Sequence, residues 1–353
     1  MDLSGDRLPQ PQPAGSVQNE MPFTFTGSGA SYFRIWIVNG VLSLLTLGIY
    51  SAWAKVRRLQ YFYRNTQVDG AAFDYHGTPW AILKGRIIAI VLFMLYSFAG
   101  EFSKLAGGLV LLALIAIMPW LLWNSLRFRL YNSSYRGIRF AFRGSLGGAY
   151  GIFLGLPVLA LFTLYLAAPF AHCLFKRYQH NGSALGNTRF SFHGRASRFY
   201  LAYVACFAIV AIITVIVGTG LLGLFSAVAT QAKHTAAFAY VIGFYVGLLA
   251  AYPVFSALIL RCVWNDTRLG EHRFVCRLSV LRFLGIHYAN LLLTVITLGL
   301  YRPFAKVRVT RYLLSTFALI PSGSLDAFTQ SEADAIGAAG EEAAGVFDID
   351  IAL

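Results

Sequence analysis

Two hydrophobic patterns alternate along the chain. Uncharged apolar runs at or beyond the roughly 18 residues of a membrane-crossing helix occupy 105–126, 199–230 and 236–260, and 147–171 is equally apolar. Between the runs stand pentapeptides in which aromatic and polar residues alternate: Phe23-Thr-Phe25-Thr-Gly27, Phe73-Asp-Tyr75-His-Gly77, Phe140-Ala-Phe142-Arg-Gly144 and Phe190-Ser-Phe192-His-Gly194. Phe274-Val-Cys276-Arg-Leu278 is a weaker fifth copy. A period of two places both aromatics on one face of a short strand. Four copies follow an Asn and a Gly five residues apart: Asn65/Gly70, Asn132/Gly137, Asn181/Gly186 and Asn265/Gly270. Strand, glycine turn and second strand predict a β-hairpin. Constant layout in five copies marks internal duplication.

The modules between hairpins alternate in length: short, long, short, long, short. Each long module predicts two spanning helices, the first pair around Glu101 and Lys104, the second around Lys233 and His234. The short modules align residue for residue, with Thr46, Thr163 and Thr297 at one position and Tyr61, Tyr178 and Tyr312 at another. Within them an apolar stem reaches a Pro-aromatic or Ala-aromatic break and then a basic helix, as in TLGIYSAWAKVRRLQY at 46–61 and TLGLYRPFAKVRVTRY at 297–312. Two topologies compete. If each short module crosses once, there are seven spans in inverted halves and almost no charge bias. If each re-enters, with a break near Asn39-Gly40, Leu156-Pro157 and Asn290-Leu291, then only Lys104 and Lys233 lie on the far side, as positive-inside sorting favours.

Composition sharpens this picture. The chain is 57% hydrophobic and 12% charged with a net charge of +14, well outside the range of a soluble domain. Of 29 Lys and Arg, 28 lie in the central part, against five acidic residues there. Such a surplus reflects topology and also attracts anionic lipid headgroups. The segment 1–22 predicts a disordered polar leader, 23–312 a repeated-module transmembrane domain, and 313–353 a flexible acidic tail. Cys173, Cys206, Cys262 and Cys276 show no spacing that suggests a disulfide framework or a zinc site.

Candidate chemistry is sparse. No zinc-protease, phosphate-loop or nucleophile-elbow motif is present, so no catalytic, cofactor or metal residue is nominated, and an enzyme is disfavoured. Carboxylates are absent from every apolar run, which weighs against an ion-coupled carrier. Lys55, Arg57 and Arg58, with their twins Lys306, Arg308 and Arg311, are candidate lipid or anion contacts; snorkelling anchors are the plainer reading. Asn39 and Asn290 are candidate polar positions at midplane depth, for a solute path or for interhelical hydrogen bonds. His76 and His193 occupy matching hairpin sites, and His172 stands where the other copies carry Lys55 and Lys306. Nucleic-acid binding is set aside, because the aromatics sit at membrane boundaries.

Together, Phe23-Thr-Phe25-Thr-Gly27, Leu44-Leu45-Thr46-Leu47-Gly48-Ile49-Tyr50, Trp53-Ala54-Lys55, Asn65-Thr66 and Phe73-Asp-Tyr75-His-Gly77 give a pattern that resembles the YjgN family of bacterial multi-pass inner-membrane proteins. Ala52 departs from the Pro169 and Pro303 of the sister modules. The resemblance implies a bacterial inner-membrane location and architecture, and carries over no activity and no site residues. The expectation is an all-α polytopic membrane protein with seven hydrophobic segments, four of them spans and three short ones re-entrant or spanning. Short interfacial β-hairpins join the modules, and the basic hairpins and both termini face the cytoplasm. Two roles follow: a passive transporter or channel for a polar or anionic solute, or an envelope or lipid-interacting scaffold. The expected partners are membrane lipids; oligomeric state is left open.

Overall fold

The computed structural model describes residues 20–226, 232–323 and 328–332; of 225, 226 and 232–235 only the backbone is considered. The predicted hairpins form at the Asn/Gly positions: β3 (Thr66–Val68) with β4 (Ala71–Tyr75), β5 (Ser133–Tyr135) with β6 (Ile138–Phe142), β7 (Ser183–Leu185) with β8 (Thr188–Phe192), and β9 (Thr267–Leu269) with β10 (His272–Cys276). Asp69-Gly70 and Arg136-Gly137 both have positive φ at the two central positions, the geometry that matches strand twist in a two-residue hairpin.

These hairpins are not separate. Each pairs antiparallel with the next, and β1 (Met21–Pro22), β2 (Thr24–Phe25) and β11 (Phe317–Ile320) complete an 11-stranded sheet in the order β1-β11-β10-β9-β8-β7-β6-β5-β4-β3-β2. Its two ends, β1 and β2, are halves of one stretch interrupted at Phe23, whose N–H donates to the Phe317 carbonyl at 3.0 Å. The sheet therefore closes on itself. This overturns the all-α expectation: strands of two to five residues are marginal as isolated hairpins, and joining them satisfies edges that would otherwise stay open. The sheet also draws on residues beyond 313, since its last strand is 317–320.

Five helical hairpins rise from one rim of this barrel. The long ones are α3 (Pro79–Phe102) with α4 (Lys104–Tyr131), and α7 (Ala196–Ser226) with α8 (Ala232–Asn265). Among the described residues these are the four helices long and apolar enough to cross a membrane. The short ones are α1 (Gly29–Leu45) with α2 (Ser51–Arg64), α5 (Leu146–Phe162) with α6 (Ala168–Gly182), and α9 (Val280–Ile296) with α10 (Arg302–Ser315). A 17-residue helix such as α1 or α9 is about 25 Å long, short of the hydrocarbon core. Because both ends of each short module join the same sheet, the seven-span reading falls. Asn39 and Asn290 lie inside continuous helices, so the expected break there is absent; the turn comes later, at 46–50 and 297–301. In α5 a π-helical turn at Gly151–Gly155 precedes Pro157, where the missing N–H prevents regular pairing.

The repeated residues now have mechanical roles. The Tyr61, Tyr178 and Tyr312 hydroxyls donate to the carbonyls of Ser28, Ser145 and Ser279 at 2.7, 2.8 and 3.0 Å. Those serines are the N-caps of α1, α5 and α9, so each tyrosine clips the returning helix to the start of the outgoing one. The closing glycine of each pentapeptide lies under the aromatic ring two residues earlier. A Cβ at Gly27 or Gly144 would come within 2.6 Å of Phe25 or Phe142, and Gly77 and Gly194 are similarly crowded by Tyr75 and Phe192. In the fifth copy the sizes are exchanged: Cys276 replaces the aromatic and the buried Leu278 replaces glycine. The polar leader and most of the acidic tail lie outside the described residues.

Candidate functional site

Register determines what faces the barrel axis. Phe73 pairs with Tyr135, Phe140 with Leu185, Phe190 with Leu269 and Phe274 with Leu319. The first aromatic of each pentapeptide thus points inward at one level, alternating with a residue from the neighbouring strand. Phe23, Phe73, Phe140, Phe190 and Phe274 stack in succession with centroid spacings of 6.3, 6.4, 6.3 and 6.0 Å. Their rings do not fill the interior, and an apolar cavity of about 370 Å³ remains. Trp264, Phe62 and Phe317 line it on the helix side. At the turn end Phe328 packs edge-on to His272 at 4.9 Å, and buried Glu332 accepts from the Asn187 N–H and the Thr188 hydroxyl at 2.5 and 2.6 Å. Residues 328–332 therefore cover that mouth.

A second cavity of about 370 Å³ abuts the first and shares Tyr63, Phe73, Phe140, Phe190 and Trp264 with it. It lies between the ends of α4, α6 and α8 and is lined by Arg129, Lys176, Gln179, His180, Ser133 and Ser183. Lys176 donates to Gln179 Oε1 at 3.3 Å and lies 5.4 Å from the Phe175 ring. Burial, and then Arg129, hold its ammonium below the usual lysine range. His180, beside Thr267 Oγ1 at 3.3 Å, is pushed down to about 4 by burial and then by Lys176, so it is neutral at pH 7.

The cationic character continues along the helix bundle. Burial and then Arg86, Arg58 and Arg129 lower the pKa of Lys55; that of Lys306, although an exposed residue, is lowered by partial desolvation and then by Arg58 and Arg302. Lys306 Nζ sits 5.2 Å from the Phe62 ring. Among the described residues no carboxylate is a cause of the shift at Lys55, Lys176 or Lys306. Four acidic residues pair elsewhere: Asp74 with Arg64, Asp69 with Arg136, Asp266 with Arg198 and Glu20 with Arg277.

The sequence-nominated residues thus separate. Lys55, Arg58 and Lys306 come together. Arg311 donates to the Gly27 carbonyl at 2.7 Å and ties α10 to the first pentapeptide. Arg57 and Arg308 are exposed, with no hydrogen bond or ion pair among the described residues. Asn39 and Asn290 are buried, 8% and 5% exposed, and neither lines either cavity. Asn290 Nδ2 reaches the Ala305 carbonyl at 3.4 Å, and the Oδ1 of both residues is unpartnered. His76 bonds Ser134 Oγ at 2.8 Å, and His172 packs on Phe199 and bonds the Tyr203 hydroxyl at 3.2 Å. Among the described residues no group of three His, Cys, Asp or Glu could hold a metal.

No sequence motif marks Lys176, Arg129, Gln179 or His180. Lys176 does lie in the third copy of the basic segment, and Arg129 stands three residues before Asn132, where Phe62 stands before Asn65. Only the barrel shows that these positions share a chamber.

No solved structure matches this chain. It is similar to the inner membrane protein YjgN of Salmonella typhimurium, 32% identical over 143 residues, covering 40% of this chain and 36% of that one. It is also similar to the inner membrane protein YjgN of Escherichia coli O157:H7, 25% identical over 269 residues, covering 74% and 55%. The chain thus spans between about a third and a little over half of the length of these curated relatives. A family described as "Bacterial protein of unknown function (DUF898)" matches residues 20–346. This chain, a membrane protein by its apolar helices and a homologue of the YjgN proteins, belongs to that family.

Proposed function

We propose that the protein sits in the bacterial inner membrane, with its barrel on the cytoplasmic side, and holds the apolar part of a lipid-like molecule inside the barrel. The observation that carries this reading is the phenylalanine-lined lumen. An apolar cavity within the about 300–1,000 Å³ range of small-molecule sites, sealed by Phe328 at the turn end and open toward the bilayer-embedded helices, suits a hydrocarbon chain. The inner-membrane location rests on the relatives' names, and the orientation on the surplus of basic residues at the barrel side.

Membrane insertion of the short hairpins is part of the proposal. Leu47 and Leu298, at two of their tips, are 95% and 94% exposed, a large cost in water and none in lipid. Backbone N–H groups through these turns are satisfied internally: Gly48 donates to Ser43, Tyr50 to Thr46 Oγ1, Gly299 to Thr294 and Tyr301 to Thr297 Oγ1. Irregular backbone in hydrocarbon requires such bonding.

Passage of a polar or anionic solute is the second reading, favoured by the uncompensated cations. It would have to cross the phenylalanine ring, and Asn39 and Asn290 offer it no polar lining. The test is delipidation followed by rebinding of hexadecanol to protein in phosphatidylcholine nanodiscs. Wild type is expected to bind, and Val68→Trp and Leu185→Trp, which fill the lumen, are expected to lose binding while still showing a cooperative melting transition, if a lower one. Equal binding by the filled variants would sink the proposal.

A further inference from the structure

Taking the lumen as the seat of the apolar chain, we infer that the adjoining chamber is a headgroup site in which Lys176 and Arg129, assisted by Gln179, bind the phosphate of an acidic membrane lipid. The reasoning starts from what each wall can do. The two cavities share Phe73, Phe140 and Phe190 as lining, so a chain lying against these rings brings its head beside the chamber. There the side chains offered to it as donors are an ammonium, a guanidinium and an amide, while the Ser183 hydroxyl is already spent on the Gln179 carbonyl at 2.7 Å. Ser133 already donates to the Arg129 carbonyl at 2.9 Å, which fixes the strand against the helix end.

Charge makes the site selective. Lys176, half-buried, and Arg129, exposed at the chamber's edge, repel one another, and none of the four ion pairs among the described residues involves either. A dianionic or monoanionic phosphate relieves that repulsion and accepts charge-assisted hydrogen bonds from both. A neutral or cationic head gains nothing there. His180, neutral and bonded to Thr267, forms the floor without adding charge. Arg129 also acts on Lys55, which feels Arg86 and Arg58 as well, so the positive field of the chamber continues along the neighbouring helices.

The test compares hexadecyl phosphate, hexadecanol and inorganic phosphate, by equilibrium binding to the full chain in phosphatidylcholine nanodiscs. Hexadecyl phosphate is expected to bind wild type roughly tenfold or more tightly than hexadecanol, with the preference falling as salt rises. Lys176→Gln and Arg129→Gln should each lose most of that preference while still binding hexadecanol, and Lys176→Arg should keep it. Equal affinity for the phosphate and the alcohol, or a preference unchanged in both glutamine variants, overturns the headgroup site and leaves the chain site intact. Tight binding of inorganic phosphate by itself overturns the lipid assignment in favour of a free anion. Failure of both chain probes to bind wild type removes the lumen reading and this one with it.

Discussion

At the level of single residues, the pentapeptide is a packing device before it is a strand signal. The second aromatic folds its ring over the glycine that follows, and no Cβ fits beneath it in the first four modules. The fifth module reaches the same volume by another route, with a thiol where the ring stood and Leu278, 1% exposed, where the glycine stood. Cores tolerate such volume-conserving exchanges but resist overpacking. Gly194→Ala is therefore expected to lower stability by about 1–3 kcal/mol. Combining Phe192→Cys with Gly194→Leu, which imports the fifth module's pairing, should be less harmful than the sum of the two single changes. Thermal unfolding of the four proteins in one detergent would measure the coupling; simple additivity would count against the packing account.

Among the elements, the short hairpins differ from the long ones in length and in how they are held. Their helices pair through the tyrosine clip, in which one hydroxyl bridges the returning helix and the N-cap residue of its partner. The buried setting of Tyr178 pushes its pKa up to about 12, so it stays a neutral donor across the physiological range. Tyr178→Phe is expected to cost about 1 kcal/mol, the net worth of one such bond. It should also speed amide exchange in the first turn of α5, which Ser145 caps at the Gly148 N–H. Exchange unchanged in that turn would mean the clip is incidental. The elements themselves were largely legible. Five copies of aromatic alternation marked the strands, the Asn-to-Gly spacing marked the hairpins, and the three aligned short modules marked the paired helices. The break expected at Asn39 and Asn290 was misplaced because a buried Asn inside a helix and an Asn in a turn look alike locally. What separates them is whether the next turn of helix can still pair its backbone.

For the whole molecule, closure of the sheet is the decisive event. The stretch 21–25 pairs on one side with β11 and on the other with β3, so strands nearly 300 residues apart in sequence complete one ring. The Phe23 N–H is the hinge of that closure. Phe23→Pro deletes both the ring and the N–H, whereas Phe23→Ala deletes only the ring. The proline variant should therefore lose about 1–2 kcal/mol more than the alanine variant. It should also lose the probe-binding cavity. Equal losses would show that the ring, and not the closure, holds the sheet together.

Sequence alone determined the local grammar: which residues alternate, which runs are apolar enough for lipid, where basic side chains concentrate, and that one unit was repeated. Those are properties of neighbouring residues, and the physics that reads them acts within a few turns or strands. The barrel was decided only in three dimensions, since a strand of three to five residues carries no mark of which distant edge it will join. The same holds for the chamber. Lys176 and Arg129 are unremarkable in their own helices, and only the ring that gathers the helix ends turns them into neighbours without a counter-charge among the described residues.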